Sequence, residues 1–169
     1  MIAPRAQSRR IDELAPWIST VARLVVGLVL LAAGALKVID LPSSVLAVQA
    51  YELVGDPMAY LIGWLLPFVQ LGLGLLLMAG LFTRAAAIAS LALFVVFTLA
   101  VVSAAARGLS IDCGCFGGGG PVAPGETDYA VEIVRDLGLI ALSAWLVWRP
   151  RSRFALDHPT DGLFTGAAR

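Results

Sequence analysis

The sequence predicts an all-α integral membrane protein: a four-helix bundle with a short interfacial helix between spans 1 and 2 and an outward Cys-Gly-Cys loop. Its 169 residues are 59% apolar and 14% charged, whereas a soluble domain is usually about 45–50% apolar and about 25% charged. Four apolar segments approach the roughly 20 residues that cross a bilayer. The formal net charge is zero, so no basic field indicates a nucleic-acid partner.

We expect three parts along the chain. Residues 1–16 are polar, hold several arginines and acids, and are typical of a disordered or interfacial cytoplasmic segment. Residues 17–149 contain the apolar segments and are predicted to form one transmembrane domain. Residues 150–169 are polar again, so they form the cytoplasmic C-terminal tail.

The first span is predicted from Trp17 to Ile39 as a retained signal anchor, because this apolar run exceeds the about 7–15 residues of a signal-peptide core. Asp40 and Pro42 then provide a capping acid and a proline in the first turn of a helix. Residues 40–59 are not apolar enough to cross the bilayer. We therefore expect a short helix on the membrane surface, followed by a turn at residues 55–57.

The second span is predicted over residues 60–82 and the third over residues 85–106, with a tight turn at Thr83-Arg84 between them. One helical face of the second span carries Gly63, Pro67, Gln70 and Gly74. Small residues let membrane helices approach closely, so this face predicts a packing seam. The alternative gives Gln70 a functional role, such as contact with a cofactor, because polar groups are costly in a bilayer.

The fourth span is predicted from Tyr129 to Trp148. Its first turns hold Glu132, Arg135 and Asp136, and the spacing of three and four residues places them on one helical face. Side chains of opposite charge at this spacing can pair. The fourth span therefore brings a small cluster of charges into the end of the bundle that carries the cysteines.

The distribution of charge predicts which side of the membrane the cysteines face. Four spans place both termini on one side, together with the turn between spans 2 and 3, and arginines concentrate in these segments. Acidic residues dominate the other loops. The positive-inside rule therefore predicts a multi-pass protein of the cell (plasma) membrane with cytoplasmic termini. The cysteine loop then lies in an extracytoplasmic, oxidising compartment.

The loop over residues 107–129 carries both cysteines, Cys113 and Cys115, with one glycine between them and more glycines after them. Glycine places no side-chain barrier on the backbone, which predicts that this thiol pair can swing. A thiolate attacks a disulfide and a second thiol resolves the mixed disulfide, so the pair is the predicted redox site. A bond between residues so close in sequence is strained and labile. The alternatives are that one cysteine bonds a partner, or that both are inert.

Basic side chains near a thiol raise the thiolate fraction. Lys37, Arg107 and Arg135 are predicted near the outer surface, and Asp136 is placed to orient Arg135 or take a proton. The alternative for Lys37 and Arg107 is snorkelling at a helix end, and for Arg135 it is a structural ion pair. Two cysteines and the distant His158 do not supply the four ligands of a zinc site, so no metal is expected.

Several motifs together carry a resemblance to a known family. They are Ala33-Gly-Ala-Leu-Lys37 followed by Asp40, Tyr51 in the outer loop, Leu66-Pro67 followed by Gly72 and Gly74, Cys113-Gly-Cys-Phe-Gly117, and Arg135-Asp136. Over roughly residues 17–149 the chain resembles the MauE branch of the DoxX-like membrane proteins. It departs from that family's pattern at Gln70, where many relatives carry an acid, and at Asp136, where many carry asparagine.

The resemblance implies a four-helix membrane bundle that takes part in redox chemistry and methylamine metabolism, where MauE supports disulfide formation in a dehydrogenase subunit. It also implies a thioredoxin-like extracytoplasmic partner or client, with a quinone as the candidate cofactor. We therefore predict a thiol–disulfide oxidoreductase with Cys113 and Cys115 as catalytic residues. Lys37, Arg135 and Asp136 would support them.

Two rival functions belong to different classes. A non-enzymatic scaffold or assembly subunit of a membrane complex, or of a homo-oligomer, would use the small-residue faces to bind another protein. A transporter of a small solute is the weaker rival, because four spans leave little room for a path and no paired broken helices are seen. Loss of the cysteines separates these rivals from the redox hypothesis, since neither needs a thiol.

Overall fold

The protein was analysed as a computed structural model, which describes residues 4–114, 118–123, 127–150 and 156, with side chains from residue 14 onward. The described chain is mostly helical. Its elements in order are α1 (Pro4–Ile39), α2 (Leu41–Ala50), α3 (Asp56–Ala79), α4 (Thr83–Ala106), β1 (Ile111–Asp112), β2 (Gly120–Pro121) and α5 (Tyr129–Trp148). The predicted helical class is confirmed, with a small β-hairpin added to it.

Three of the described helices are long and apolar enough to cross a membrane: Leu14–Ile39 within α1, Asp56–Ala79 and Thr83–Ala106. These helices confirm a membrane protein. Helix α5 has the predicted bounds and 20 residues. Its first turns carry three charged residues, Glu132, Arg135 and Asp136, which sets α5 apart from the three apolar helices above. A fourth crossing by α5, and with it the four-span bundle, remains a prediction.

The described part of the N-terminal segment is helical. Helix α1 begins at Pro4, and its backbone continues without a break through Pro16 into the first apolar span. Proline removes one backbone donor from a helix without ending this one, and one turn later the Thr20 hydroxyl donates to the Pro16 carbonyl at 2.7 Å. The sequence leaves disorder and an interfacial position open for this segment, and the helix agrees with the interfacial alternative, which remains a prediction.

The predicted helix start at Asp40 is confirmed. The Asp40 carboxylate accepts hydrogen bonds from the Ser43 amide at 3.1 Å and the Ser43 hydroxyl at 2.6 Å. These bonds, the hydroxyl bond first, lower the pKa of Asp40 below its ordinary value and keep the cap charged. Helix α2 then lies on α3, where the Ser44 hydroxyl donates to the Gly63 carbonyl at 2.9 Å.

The turn between α3 and α4 lies earlier than predicted. Gly80 ends α3 in the left-handed conformation, with φ +67°, and Phe82 precedes α4 with φ +49°. Thr83 and Arg84, which were predicted to form the turn, are the first residues of α4. The misplaced turn has a simple cause, because a left-handed glycine is a common helix stop and Gly80 was read as part of the span.

The packing seam on α3 is confirmed. Gly63, Pro67, Gln70 and Gly74 are all buried. Helix α1 runs antiparallel to α3, since Gly27 lies beside Gly74 while Gly34 lies beside Pro67. The larger apolar cluster of the core joins α1, α3, α4 and α5, and its buried members are Val26, Leu30, Leu77, Ala86, Phe94 and Leu139.

The two ends of the helix assembly differ in what they carry. At one end, the Ser19 hydroxyl of α1 donates to the Arg149 carbonyl at 2.8 Å, and Ala22, Ala87 and Leu146 form a second apolar cluster. The start of the apolar part of α1, the α3–α4 turn and the end of α5 therefore lie at this end. Helix α2 and the hairpin lie at the other end, which is the arrangement that the charge distribution predicts.

The seam gives a matched pair of glycine substitutions. A methyl group at Gly74 would lie 2.7 Å from Leu31 Cγ and 2.9 Å from the Leu31 amide, whereas one at Gly72 would meet nothing within 4 Å. We expect Gly74→Ala to destabilise the protein by roughly 1–3 kcal/mol through overpacking. Gly72→Ala should be neutral or stabilising by up to about 1 kcal/mol.

Unfolding midpoints of the two purified variants in the same detergent test this prediction. Equal midpoints for Gly74→Ala and Gly72→Ala would contradict the close contact between α1 and α3. Because both substitutions add the same methyl group to the same helix, helix propensity alone cannot separate the two variants.

Candidate functional site

The first cysteine is positioned by the β-hairpin. Strands β1 and β2 pair antiparallel, with Ile111 opposite Pro121 and Asp112 opposite Gly120, and Cys113 follows β1 directly. The hairpin is joined to the segment that leads into α5, because the Thr127 hydroxyl donates to the Ile111 carbonyl at 2.9 Å. Cys115, together with residues 116–117, lies outside the described residues, so its predicted role stays a prediction.

The described glycines of this loop pack closely against α2. Gly114 has φ +63°, and its amide donates to Asp112 Oδ1 at 3.0 Å. A Cβ atom at Gly114 or Gly119 would lie 2.6 Å or 2.3 Å from Ala47 Cβ. At these two positions the lack of a side chain permits contact with α2. The predicted swing of the thiol pair stays a prediction, and it would have to keep or break these contacts with α2.

Tyr51 and Arg107 join α2, α4 and the hairpin. The Tyr51 hydroxyl donates to the Cys113 carbonyl at 3.3 Å. The Arg107 guanidinium donates to the Tyr51 carbonyl, and it lies 3.8 Å from a Glu52 carboxylate oxygen at the surface. Arg107 was a candidate cation for the thiolate, but the contacts described for it stabilise the end of α2.

A cavity of about 210 Å³ lies beneath the hairpin. Cys113 and Gly114 form part of its wall, and most of the remaining wall is apolar and comes from α2, α3 and α4. The polar side chains in the wall are those of Lys37, Ser44 and Tyr51. Two residues of the predicted site, Cys113 and Lys37, thus line one largely apolar cavity.

Lys37 is buried, with 4% of its surface exposed. Its Nζ donates to Gln70 Oε1 at 3.3 Å and lies 6.0 Å from the centroid of the Phe97 ring. Snorkelling was the alternative for this residue, and it does not describe a side chain that points between helices. Gln70, itself 2% exposed, acts as the hydrogen-bond partner of Lys37.

Glu132, Arg135 and Asp136 pair as their spacing predicts. The Arg135 guanidinium donates to the Glu132 carboxylate and to Asp136 Oδ1 at 3.1 and 3.2 Å. Asp136 is 2% exposed, and its Oδ2 atom has no hydrogen-bond partner in the described part of the chain. Oδ2 therefore keeps a lone pair inside the bundle that no described donor satisfies.

A second, small cavity lies between this cluster and Gln70. It measures about 20 Å³, enough for about one water molecule, and Gln70, Arg135, Asp136 and Phe97 are among the residues that line it. Gln70 also accepts the hydrogen bond from Lys37. Lys37 lines the cavity beneath Cys113 instead, so the hydrogen bond between Lys37 and Gln70 links the two cavities.

Phe97 is the site residue that the sequence missed. It lines both cavities, and its ring centroid lies 6.0 Å from Lys37 Nζ, whereas the sequence shows it only as one of many apolar residues in the third span. The sequence of one apolar helix does not show which residues of another helix lie at the same level in the membrane. Only the packing of α4 beside α1 and α3 places this ring at the level of Lys37.

The charge cluster on α5 gives a stability prediction. Arg135→Met leaves the Glu132 and Asp136 carboxylates without the cation between them, and we expect a loss of about 1–3 kcal/mol. Adding Asp136→Asn should restore part of this lost stability, because it removes a buried carboxylate charge that no longer has Arg135 beside it. Arg84→Met changes an exposed arginine and serves as the control, with little expected effect.

Urea or thermal unfolding in detergent compares these variants. If Arg135→Met and Arg84→Met unfold alike, the described pairing adds nothing to stability. If the double variant unfolds more easily than Arg135→Met alone, the charge of Asp136 is not the cause of the lower stability of the single variant.

Comparison with known proteins gives one match. The sequence matches the family described as methylamine utilisation protein MauE over residues 15–149, which is the family whose motifs the sequence resembles. No curated protein and no solved structure matches the chain. The matched range covers the helices from the first span to the end of α5, and the hairpin between them. The chain is therefore a membrane protein that belongs to the MauE family.

Proposed function

We propose that the protein is a membrane thiol–disulfide oxidoreductase. Cys113 and Cys115 exchange electrons with an extracytoplasmic thioredoxin-like partner or with a client protein. The observation that carries this proposal is the placement of Cys113 on the same cavity as the buried amine of Lys37. Inert structural cysteines need no such neighbour, whereas a reactive thiol benefits from a positive charge nearby.

The reaction begins when a thiolate attacks a disulfide sulfur and forms a mixed disulfide. The second cysteine then attacks this intermediate and releases the partner, leaving one protein oxidised and the other reduced. Lys37 stabilises the negative sulfur from within the cavity. Arg135 and Asp136 act less directly, because Gln70 separates them from Lys37.

The side of the membrane follows from charge. Ser19 of α1, the α3–α4 turn and Arg149 lie at one end of the helices, and the hairpin lies at the other. The segments of sequence that lead to and from the first end are rich in arginine. The positive-inside rule assigns the first end to the cytoplasm, so Cys113 faces the compartment in which disulfides form. This assignment requires α5 to cross the membrane as the fourth span.

The family description connects the chain to methylamine utilisation. The client that best combines this description with thiol chemistry is a secreted protein of that system whose disulfides must form or rearrange. Such a client would meet the hairpin outside the cell. A scaffold or assembly subunit, the rival function, would bind partners without using the cysteines.

Labelling of the cysteines in intact cells tests location and redox state together. With a membrane-impermeant maleimide, we expect the mass shift of Cys113 and Cys115 to appear only after mild reduction. The control is Arg84→Cys in the Cys113→Ser/Cys115→Ser background, which places one thiol at the opposite, cytoplasmic end. This control should be labelled only in permeabilised cells.

Trapping of a partner tests the chemistry. Cys113→Ser and Cys115→Ser single variants each keep one thiol, and one of them should accumulate a mixed disulfide that disappears on reduction. The double variant should leave the partner in its unexchanged redox state. An unchanged partner redox state in cells that carry the double variant would contradict the proposal and favour the scaffold.

A further inference from the structure

The cavity beneath Cys113 reaches the lipid-facing surface between α3 and α4. Val96 of α4 lines the cavity and is 60% exposed. Ile62 and Leu66 of α3 line the same side and are half-buried. Helices α1 and α2 cover much of α3, and α5 packs along α4, but few contacts join α3 to α4. A molecule dissolved in the bilayer can therefore enter from the side.

The cavity suits a ring with polar oxygens better than it suits a lipid tail. Its volume of about 210 Å³ exceeds the about 150 Å³ at which an apolar cavity holds benzene. The wall is apolar except for a few groups, among which the buried Lys37 amine is a strong hydrogen-bond donor. The Phe97 ring in the same wall offers an aromatic surface. An ammonium group has three donors, so Lys37 can donate to a ring oxygen while it keeps its bond to Gln70, whereas a hydrocarbon chain offers no acceptor.

We propose that this cavity binds the ring of a membrane quinone, with its isoprenoid tail leaving between α3 and α4. Lys37 donates to one carbonyl oxygen of the ring, and Gln70 is a positioning residue that holds the amine in place. The ring then lies beside Cys113, at the boundary between the bilayer and the hairpin. The inference rests on the proposed function, because the thiols of the motif supply the electrons.

The electron transfer balances with a quinone as the oxidant. The thiols of Cys113 and Cys115 lose two hydrogens, as two protons and two electrons, while one S–S bond forms between the sulfurs. The quinone takes up the same two electrons and two protons, and its two carbonyl oxygens become the hydroxyls of a hydroquinone. The oxidised pair then accepts electrons from the partner or client, which becomes oxidised in turn.

Binding is tested apart from chemistry. The full-length Cys113→Ser/Cys115→Ser protein in detergent is irradiated with a photoreactive azido derivative of ubiquinone, and labelled peptides are mapped. We expect label on α3 near Leu66 and on α4 near Val96, competed by decylubiquinone.

Ala100→Phe fills the cavity, since Ala100 lines it, and should lower labelling by about tenfold or more. Ala92→Phe, at an exposed position of the same helix outside the cavity wall, should leave it unchanged.

The outcomes separate the two proposals. Label that is absent, that decylubiquinone does not compete, or that is equal in Ala100→Phe and Ala92→Phe overturns the quinone site, even if cysteine trapping succeeds. A phospholipid that co-purifies in the cavity and resists displacement by decylubiquinone overturns it as well. Specific label in a protein whose cysteines trap no partner leaves the quinone site intact and contradicts the proposed function instead.

The role of Lys37 is tested with the reduced wild-type cysteines. Lys37→Met keeps a flexible side chain of similar length but removes the donor, and we expect slower reduction of decylubiquinone. Gln70→Leu should raise KM more than it lowers kcat, because it misplaces the amine without removing it. Equal rates for the wild type and Lys37→Met would exclude the amine from the quinone site.

Discussion

The site depends on the close packing of α2 between α3 and the hairpin. Helix α2 can lie there because glycine occupies both contact surfaces: Gly63 faces Val45 on one side, and Gly114 and Gly119 face Ala47 on the other. Any side chain at these positions would push α2 outward. The cavity would then lose a wall, and Cys113 would lose the Tyr51 hydrogen bond that holds its backbone.

Buried polar groups are costly in a bilayer, and the charged ones beside the two cavities have partners, although Asp136 Oδ2 has no hydrogen bond from the described residues. Lys37 has Gln70, and Arg135 has Glu132 and Asp136. Such pairing lowers the cost of burial, but apolar residues would lower it further. Only Lys37 of this group lines the cavity beneath Cys113, while Gln70 and Asp136 line the smaller cavity beside it. The proposed redox function would give these buried groups a use that stability alone does not require.

Local signals in the sequence predicted much of this fold. The Asp40 cap and the bounds of α5 follow from capping and hydropathy, which act within a few residues. The α3–α4 turn was placed too late, because Gly80 is also a tolerated residue inside a membrane helix. The hairpin and both cavities were not predictable in this way, since they arise from contacts between residues far apart in the chain. The candidate residues could be named, but their grouping around Gln70 could not.

Lys37 illustrates how a neighbouring helix decides the role of a residue. A lysine in the last turn of a membrane helix ordinarily extends to the surface. Here α1 ends at Ile39, Asp40 caps the next helix at once, and α2 turns back over the end of α1. Ser44, Ala47 and Val48 of α2 then line the same cavity as Lys37, so the amine is enclosed. The cap at Asp40 therefore determines more than where α2 begins, because it converts a surface lysine into an interior one.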